Sequence, residues 1–158
     1  MLNPSKSRKL LEALESRGLT LGAAESLTGG LFASAICEIP GASKVFRGGI
    51  VSYNVGVKSD LLGVSQRMID HFGVVSQPVA NKMAIGGRKA LKCDVCVSFT
   101  GNAGPDVEPG GAPVGRVHMA ISTKKGLVEL SQDFTGERNR IREKAVDMML
   151  DVLMAIFC

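Results

Sequence analysis

The sequence has no tryptophan and only one tyrosine, and aromatic residues make up 4% of its 158 positions. Proteins that grip single-stranded nucleic acids stack the bases on exposed aromatic side chains, and few are present here. Lysine and arginine exceed aspartate and glutamate by 19 to 15, which falls short of the dense basic stripe of a dedicated nucleic-acid-binding protein. We therefore expect no nucleic-acid partner.

The sequence also lacks a long apolar run. No stretch approaches the ~20 apolar residues that span a bilayer, and the opening MLNPSKSRKL has no apolar signal core. These absences predict a cytoplasmic protein with no membrane partner.

Histidine and cysteine are scarce, with two and four residues. Cys93 and Cys96 have the C-x-x-C spacing, but no second cysteine pair or histidine cluster accompanies them to complete a zinc site. We predict buried, reduced thiols and no metal site. The P-loop and the G-x-G-x-x-G dinucleotide fingerprint are both missing from the sequence.

The length and composition predict a single domain over residues 1–158. Helices interleave with about five strands, the last two of which form an antiparallel hairpin. This order predicts an α/β fold, a three-layer α/β/α sandwich around a mixed sheet. The predicted elements are a helix through Leu10–Leu14 capped by Ser5 or Ser7 and ended by Gly18, a strand at 19–24, a helix at 33–36 ended by Pro40-Gly41, a strand at 49–53, a helical turn at 58–63, a helix from Ser76 to Lys92, a central strand at 95–100, a loop at 101–114, strands at 117–121 and 127–134, and a closing helix at 141–156.

Ser26 is the sharpest candidate for chemistry. It follows a predicted strand and precedes Thr28-Gly29-Gly30 and a helix, where backbone N–H groups favour negative charge. A hydroxyl at this place could attack a carbonyl while neighbouring amides hold the oxyanion. The alternative is that Ser26 is an ordinary helix N-cap.

A nucleophilic serine needs an activating group. His71 lies in a polar helical stretch and His118 within a strand, so neither is expected to face Ser26. Lys58 follows a strand and could reach the same edge of the sheet as a neutral base, although most lysines are simply solvated. Ser122 begins an S-x-x-K pattern, but it sits at a polar turn and is expected to be unrelated to catalysis.

Two further groups could bind an anion. The turn from Thr100 to Pro105 offers backbone amides that either cradle a phosphate or carboxylate or serve only the turn. Arg138, Arg140 and Arg142 lie near the start of the last helix, and at this spacing one or two of them are expected to line a site.

Seven motifs follow one another in a recognisable order. They are Ala23-Ala24-Glu25-Ser26-Leu27-Thr28-Gly29-Gly30, Pro40-Gly41-Ala42-Ser43 with Phe46 and Gly48-Gly49, Tyr53 with Lys58 and Leu61-Leu62-Gly63-Val64, Gly73-Val74-Val75-Ser76, Thr100-Gly101 with Ala103-Gly104-Pro105, Pro113-Val114-Gly115, and Gly136-Glu137-Arg138 with Ile141-Arg142. The series resembles the C-terminal domain of the competence/damage-inducible protein CinA, a domain also found as a stand-alone nicotinamide mononucleotide amidohydrolase. The likeness extends over nearly the whole chain.

The resemblance implies hydrolysis of the carboxamide of nicotinamide mononucleotide to nicotinate mononucleotide and ammonia, a salvage step in pyridine-nucleotide metabolism that needs neither a metal nor a cofactor. The partner is then a small nucleotide substrate. The family's serine nucleophile falls on Ser26, and its lysine and tyrosine fall on Lys58 and Tyr53. Substrate-binding residues are expected at Thr28, Gly29, Gly30, Gly48, Gly49, Thr100, Gly101, Asn102, Gly104 and Arg138.

The chain departs from the family's pattern at two places. Val55 and Gly56 replace a polar and an acidic residue between Tyr53 and Lys58, and Asn102 replaces an isoleucine. These changes motivate an alternative function, that of a catalytically silent nucleotide-binding or competence/damage-inducible interaction module. A homo-oligomer also stays open, because the apolar stripe of Met148, Met149 and Leu153 fits either a subunit contact or internal packing.

Overall fold

The computed structural model describes residues 2–158 of the chain. In chain order the elements are α1 (Pro4–Ser16), β1 (Leu21–Glu25), α2 (Leu31–Cys37), a 3-10 turn (Ala42–Lys44), β2 (Phe46–Val51), α3 (Val55–Leu62), α4 (Gln66–Phe72), α5 (Gln77–Leu91), β3 (Val95–Gly101), β4 (Arg116–Thr123), β5 (Gly126–Asp133) and α6 (Arg138–Phe157).

The five strands form one mixed sheet in the order β2-β1-β3-β4-β5. β1 runs parallel to both β2 and β3, whereas β3, β4 and β5 pair antiparallel. β3 is the central strand, and the predicted α/β fold with a five-stranded mixed sheet is confirmed. Because β1, β2 and β3 are parallel, the segments that follow them meet at one edge of the sheet, which is where ligands bind in such folds.

Helices cover both faces of the sheet. Side chains alternate along β3, so Val95, Val97 and Phe99 pack into the larger core with α1, α2 and α6. Ser98 points to the opposite face, where its hydroxyl donates to the Ala80 carbonyl of α5 at 2.6 Å. β3 is buried on both faces, as its nearly continuous apolar sequence predicts.

The start of α1 differs from the prediction. The cap is Asn3, whose side-chain oxygen accepts the N–H of Ser5 at 3.0 Å. Neither Ser5 nor Ser7 caps the helix, so that prediction is wrong. Pro4 occupies the first helical position, where its fixed φ and missing N–H suit a helix start.

β2 and α3 both begin three residues earlier than predicted. Gly48 and Gly49 lie inside the ladder opposite Gly22 and Ala23 of β1. α3 begins earlier because the Asn54 side chain accepts the N–H of Gly56 at 2.7 Å and caps the helix. Lys58 therefore lies in the middle of α3.

The apolar stripe of α6 packs inside the molecule. Met149 and Leu153 have no accessible surface, and Met148 packs against the same core while partly buried. Within residues 2–158, no helix combines the length and the apolar character needed to cross a membrane.

α3 and α5 cross at unusually short range. A Cβ atom at Gly86 would lie 2.7 Å from the Leu62 carbonyl carbon and closer still to its oxygen. Such distances are too short for any side chain. The absence of a side chain at Gly86 therefore lets the end of α3 rest on α5, which places α3 against the sheet edge.

We expect Gly86→Ala to destabilise the protein by about 1–3 kcal/mol, because the new methyl group forces α3 and α5 apart. The direction is informative, since replacing glycine by alanine inside an unobstructed helix stabilises it by about 1 kcal/mol. Urea unfolding measures the difference, with the exposed Lys89→Ala in the same helix as the control. Unchanged or increased stability of Gly86→Ala would contradict the close crossing.

Candidate active site

A cleft of about 490 Å³ opens where β1, β2 and β3 end. Ser26 immediately follows β1, Tyr53 follows β2 and Thr100–Gly101 ends β3. The lining also includes Lys58 of α3, Arg138 at the start of α6 and the loop after β3. Three predicted catalytic residues, Ser26, Lys58 and Tyr53, thus line one cleft.

Ser26 and Lys58 are in direct contact. The Lys58 Nζ atom lies 3.0 Å from the Ser26 Oγ atom, although the residues are 32 positions apart. The backbone N–H of Ser26 donates to the Phe99 carbonyl at 3.0 Å, which extends the pairing of β1 with β3 by one residue. The hydroxyl group is therefore fixed at the end of a buried strand.

Lys58 lies on the buried side of α3. Together with Leu62, one helical turn later, it faces the protein interior, and only 1% of its surface is exposed. Desolvation by this burial lowers the pKa of Lys58 from 10.5 to about 8. A substantial fraction of the amine is consequently neutral near physiological pH.

The surroundings of Lys58 Nζ suit a base. Besides Ser26 Oγ, the atom contacts the backbone carbonyl oxygens of Ser52 and Tyr53, the latter at 3.3 Å. A neutral amine has two hydrogens and one lone pair. With the hydrogens donated to the two carbonyls, the lone pair faces Ser26 and can accept its hydroxyl proton.

Residues Ser26–Gly29 form a β-turn, here named the Ser26 turn, in which the N–H of Gly29 donates to the Ser26 carbonyl at 3.0 Å. α2 begins only after Gly30, which caps it without a side-chain bond, so the N-cap interpretation of Ser26 is wrong. Leu27 lines the cleft, and its N–H finds no acceptor among residues 2–158. This donor stands one residue after the hydroxyl, a usual position for an oxyanion donor.

Glu25 already occupies the N-terminus of α2. Its two carboxylate oxygens accept the N–H groups of Phe32 and Ala33 at 3.0 and 3.1 Å, and the residue is fully buried. The sequence motifs predict no role for Glu25. A charged residue at the end of an otherwise apolar strand is the signal that identifies it, because a buried charge needs such partners.

Tyr53 and Arg138 meet across the cleft. The Arg138 guanidinium donates to the Tyr53 hydroxyl at 3.0 Å and to the Gly104 carbonyl at 2.6 Å. Tyr53 contacts Lys58 through its backbone carbonyl, whereas its side chain is 62% exposed. The phenol thus belongs to the rim of the cleft together with Arg138.

The other two arginines lie elsewhere. Arg140 is exposed and pairs with Glu143 at 3.3 Å. Arg142 donates to the carbonyl oxygens of Leu27 and Thr28 at 2.8 and 2.9 Å. Of the three arginines, only Arg138 lines the cleft.

The loop after β3 is shaped by Asn102. Its side-chain nitrogen donates to the carbonyls of Asp106 and Ala112, and its oxygen accepts the N–H of Gly104 at 2.8 Å. The Thr100 hydroxyl donates to the Val74 carbonyl at 2.9 Å. Thr100, Gly101, Asn102 and Gly104 all line the cleft, but the side chains of Thr100 and Asn102 are already engaged within the protein.

Comparison with known proteins agrees with this architecture. The model of the CinA C-terminal domain family matches residues 4–157. The chain belongs to this family.

Two CinA-like proteins, from Desulfotalea psychrophila and Solibacter usitatus, are 42% and 40% identical to the chain over 90% and 85% of its length. The aligned region covers 34% and 32% of those proteins, so the chain spans about a third of these curated relatives.

Solved structures of the family have the same fold. The competence/damage inducible protein CihA from Agrobacterium tumefaciens superposes with a TM-score of 0.92 at 34% identity, covering 97% of this chain and 94% of that one. A CinA superfamily protein from Klebsiella pneumoniae superposes with a TM-score of 0.95 at 25% identity, covering 99% and 98%.

The departures from the CinA pattern leave the Ser26–Lys58 contact in place. Gly56 receives the Asn54 cap, and Val55 lines the cleft beside Lys58. Asn102 directs its side chain to the loop's own backbone. None of these residues stands between the serine and the lysine.

Several residues expected to bind substrate lie outside the cleft. Gly48 and Gly49 are inside β2. Gly29 and Gly30 take left-handed conformations, with φ of 58° and 97°, at the approach to α2. Thr28 is fully buried, and its hydroxyl has no hydrogen-bond partner among residues 2–158.

The remaining polar candidates serve the framework. Cys93 and Cys96 are buried free thiols, as predicted. The His118 ring contacts the Gln77 side chain at 3.3 Å, and burial lowers its pKa. The Ser122 hydroxyl accepts a hydrogen bond from Arg88 at 3.2 Å.

We expect Glu25→Gln to lower the free energy of unfolding by about 1–3 kcal/mol, because the amide nitrogen cannot accept the second N–H group of α2. Glu38→Gln, at an exposed position after α2, serves as the control and should be near neutral. Equal losses in urea unfolding for the two variants would contradict the capping role of Glu25.

Proposed function

We propose that the chain is an amidohydrolase of the CinA C-terminal family that converts nicotinamide mononucleotide to nicotinate mononucleotide and ammonia. The observation that carries the proposal is the 3.0 Å contact between Ser26 Oγ and Lys58 Nζ inside a cleft. The substrate comes from the family resemblance, and the residues supply the chemistry.

The first half of the reaction forms an acyl-enzyme. Lys58 takes the Ser26 proton as Oγ attacks the carboxamide carbon, and the N–H of Leu27 donates to the oxyanion. The Lys58 ammonium then gives its proton to the departing nitrogen, and ammonia leaves. The carbonyls of Ser52 and Tyr53 hold Nζ beside Ser26 throughout.

The second half releases the acid. Neutral Lys58 takes a proton from a water molecule, which attacks the acyl carbon of the Ser26 ester. The tetrahedral intermediate collapses, and Lys58 returns the proton to Ser26 Oγ. The product is the carboxylate of nicotinate mononucleotide.

The charges of the cleft suit this nucleotide. Arg138 supplies a cation at the rim, which matches the substrate phosphate. Asp106 and Glu108 line the same cleft and match the positive charge of the pyridinium ring. The cleft thus offers charges of both signs to a zwitterionic substrate.

Ser26→Ala should lower kcat/KM for nicotinamide mononucleotide by at least about 10³-fold, because no nucleophile remains. We expect a similar loss for Lys58→Met, which removes the base while keeping an apolar chain of similar length. The exposed Ser59→Ala, next to Lys58 on α3, is the matched control and should retain activity. Ammonia release together with chromatography of the nucleotide product measures all four proteins.

The same assay separates the alternatives. Activity that survives a chelator and disappears in Ser26→Ala supports the metal-independent serine mechanism. Wild-type chain that is folded and binds the nucleotide in calorimetry, yet releases no ammonia, would instead support a catalytically silent binding module. Activity retained by Ser26→Ala would exclude Ser26 as the nucleophile.

The rate should follow the deprotonation of Lys58. Burial lowers the pKa of this amine to about 8, and only the neutral form is a base. We therefore expect kcat/KM to rise about tenfold per pH unit below pH 8 and to level off above it. Single-turnover rates that are flat from pH 6 to 8 would count against Lys58 as the base.

A further inference from the structure

The Ser26 turn is contacted from a distant part of the chain. Its central peptide joins Leu27 to Thr28. The two common β-turn types differ by a rotation of this peptide through roughly half a turn. The hydrogen bond from Gly29 to Ser26 is compatible with both orientations. Thr28 favours the observed one, because the other requires a positive φ that a β-branched residue rarely adopts. A contact to the central peptide can hold the same orientation further.

Arg142 contacts this central peptide and the peptide that follows it. Its Nε donates to the Leu27 carbonyl of the central peptide at 2.8 Å, across 115 positions of sequence. Its Nη2 donates to the Thr28 carbonyl of the next peptide at 2.9 Å, across 114 positions. Its third nitrogen, Nη1, donates to the Asn139 side chain of the same helix at 3.0 Å. All three guanidinium nitrogens are thereby engaged, which fixes the plane of the group.

Gly29 allows the guanidinium to come this close. A Cβ atom at Gly29 would lie 3.2 Å from Arg142 Nη2, which is tighter than ordinary van der Waals contact. Ser26 and Leu27 line the cleft, whereas Arg142 does not. The guanidinium therefore holds the Ser26 turn from outside the cleft.

We propose that Arg142 is a positioning residue, which keeps the Leu27 carbonyl turned away from the position of the oxyanion. This inference rests on the proposed function, in which Ser26 attacks an amide. Because a peptide is planar, rotating the central peptide would move the Leu27 oxygen from Arg142 toward the opposite side of the turn. A carbonyl oxygen there would repel the developing negative charge.

The orientation can be measured without any turnover. Residual dipolar couplings of backbone N–H groups report the direction of the Thr28 N–H, which belongs to the central peptide. We expect this coupling to change in Arg142→Met while couplings in β1 and β3 stay the same. Arg140→Met, on the same helix and paired with Glu143, should leave the Thr28 coupling unchanged.

The kinetic arm tests the consequence. We expect Arg142→Met to lower kcat about 10²-fold, the effect of one lost oxyanion donor, with KM within about twofold. Arg142→Lys keeps a cation that can reach one carbonyl, and it should recover part of the lost kcat. If thermal unfolding shows that Arg142→Met folds poorly, the Thr28 coupling and kcat are both measured on Arg142→Lys instead.

The two arms distinguish this inference from the proposed function. An unchanged Thr28 coupling in a folded Arg142 variant overturns the positioning role whatever the activity. A changed coupling with unchanged kcat also overturns it. If the wild-type chain has no amidase activity, the proposed function fails, and the coupling still decides whether Arg142 orients the turn.

Discussion

The buried amine of Lys58 lies in the cleft at the edge of the sheet, and the rest of the site depends on how it is held. Desolvation is the cause of the lowered pKa of Lys58, and no carboxylate pairs with it within residues 2–158. Burying a cation in this way is unfavourable, so the fraction of Lys58 in the neutral form increases. The backbone carbonyls after β2 accept its hydrogens, and the close crossing of α3 on α5 keeps it there.

The one buried carboxylate nearby does not cancel this effect. Glu25 is adjacent to Ser26 in sequence, but its oxygens bind the first N–H groups of α2, on the opposite face of the sheet from α3 and α5. The alternation of side chains along β1 therefore separates the two ionisable groups. A Glu25 that reached Lys58 would stabilise the ammonium form and remove the base.

The sequence alone supports the fold and the Ser26 turn well, because both depend on local patterns. Apolar runs, glycine positions and a serine between a strand and a helix are visible without coordinates. The contact between Ser26 and Lys58 is harder to predict from the sequence, since it requires the crossing of α3 over the sheet edge.

The roles of the arginines show the same limit. Spacing along α6 indicates that the three arginines spread over more than one face, with Arg140 on a different side from Arg138 and Arg142, but not which of them meets the cleft. That depends on where the Ser26 turn lies relative to α6, which is a property of the whole fold. The positions of Leu27 and Thr28 decide it, and they lie more than a hundred residues away from Arg142.

This separation has a consequence for biosynthesis. A nascent chain that has emerged from the ribosome only as far as residue 137 already contains Ser26, Lys58 and the whole sheet. It lacks Arg138, which joins Tyr53 to Gly104, and Arg142, which contacts the Ser26 turn. The nucleophile and the rim of the cleft therefore reach their final arrangement only when the last helix, which also completes the larger core, has been made.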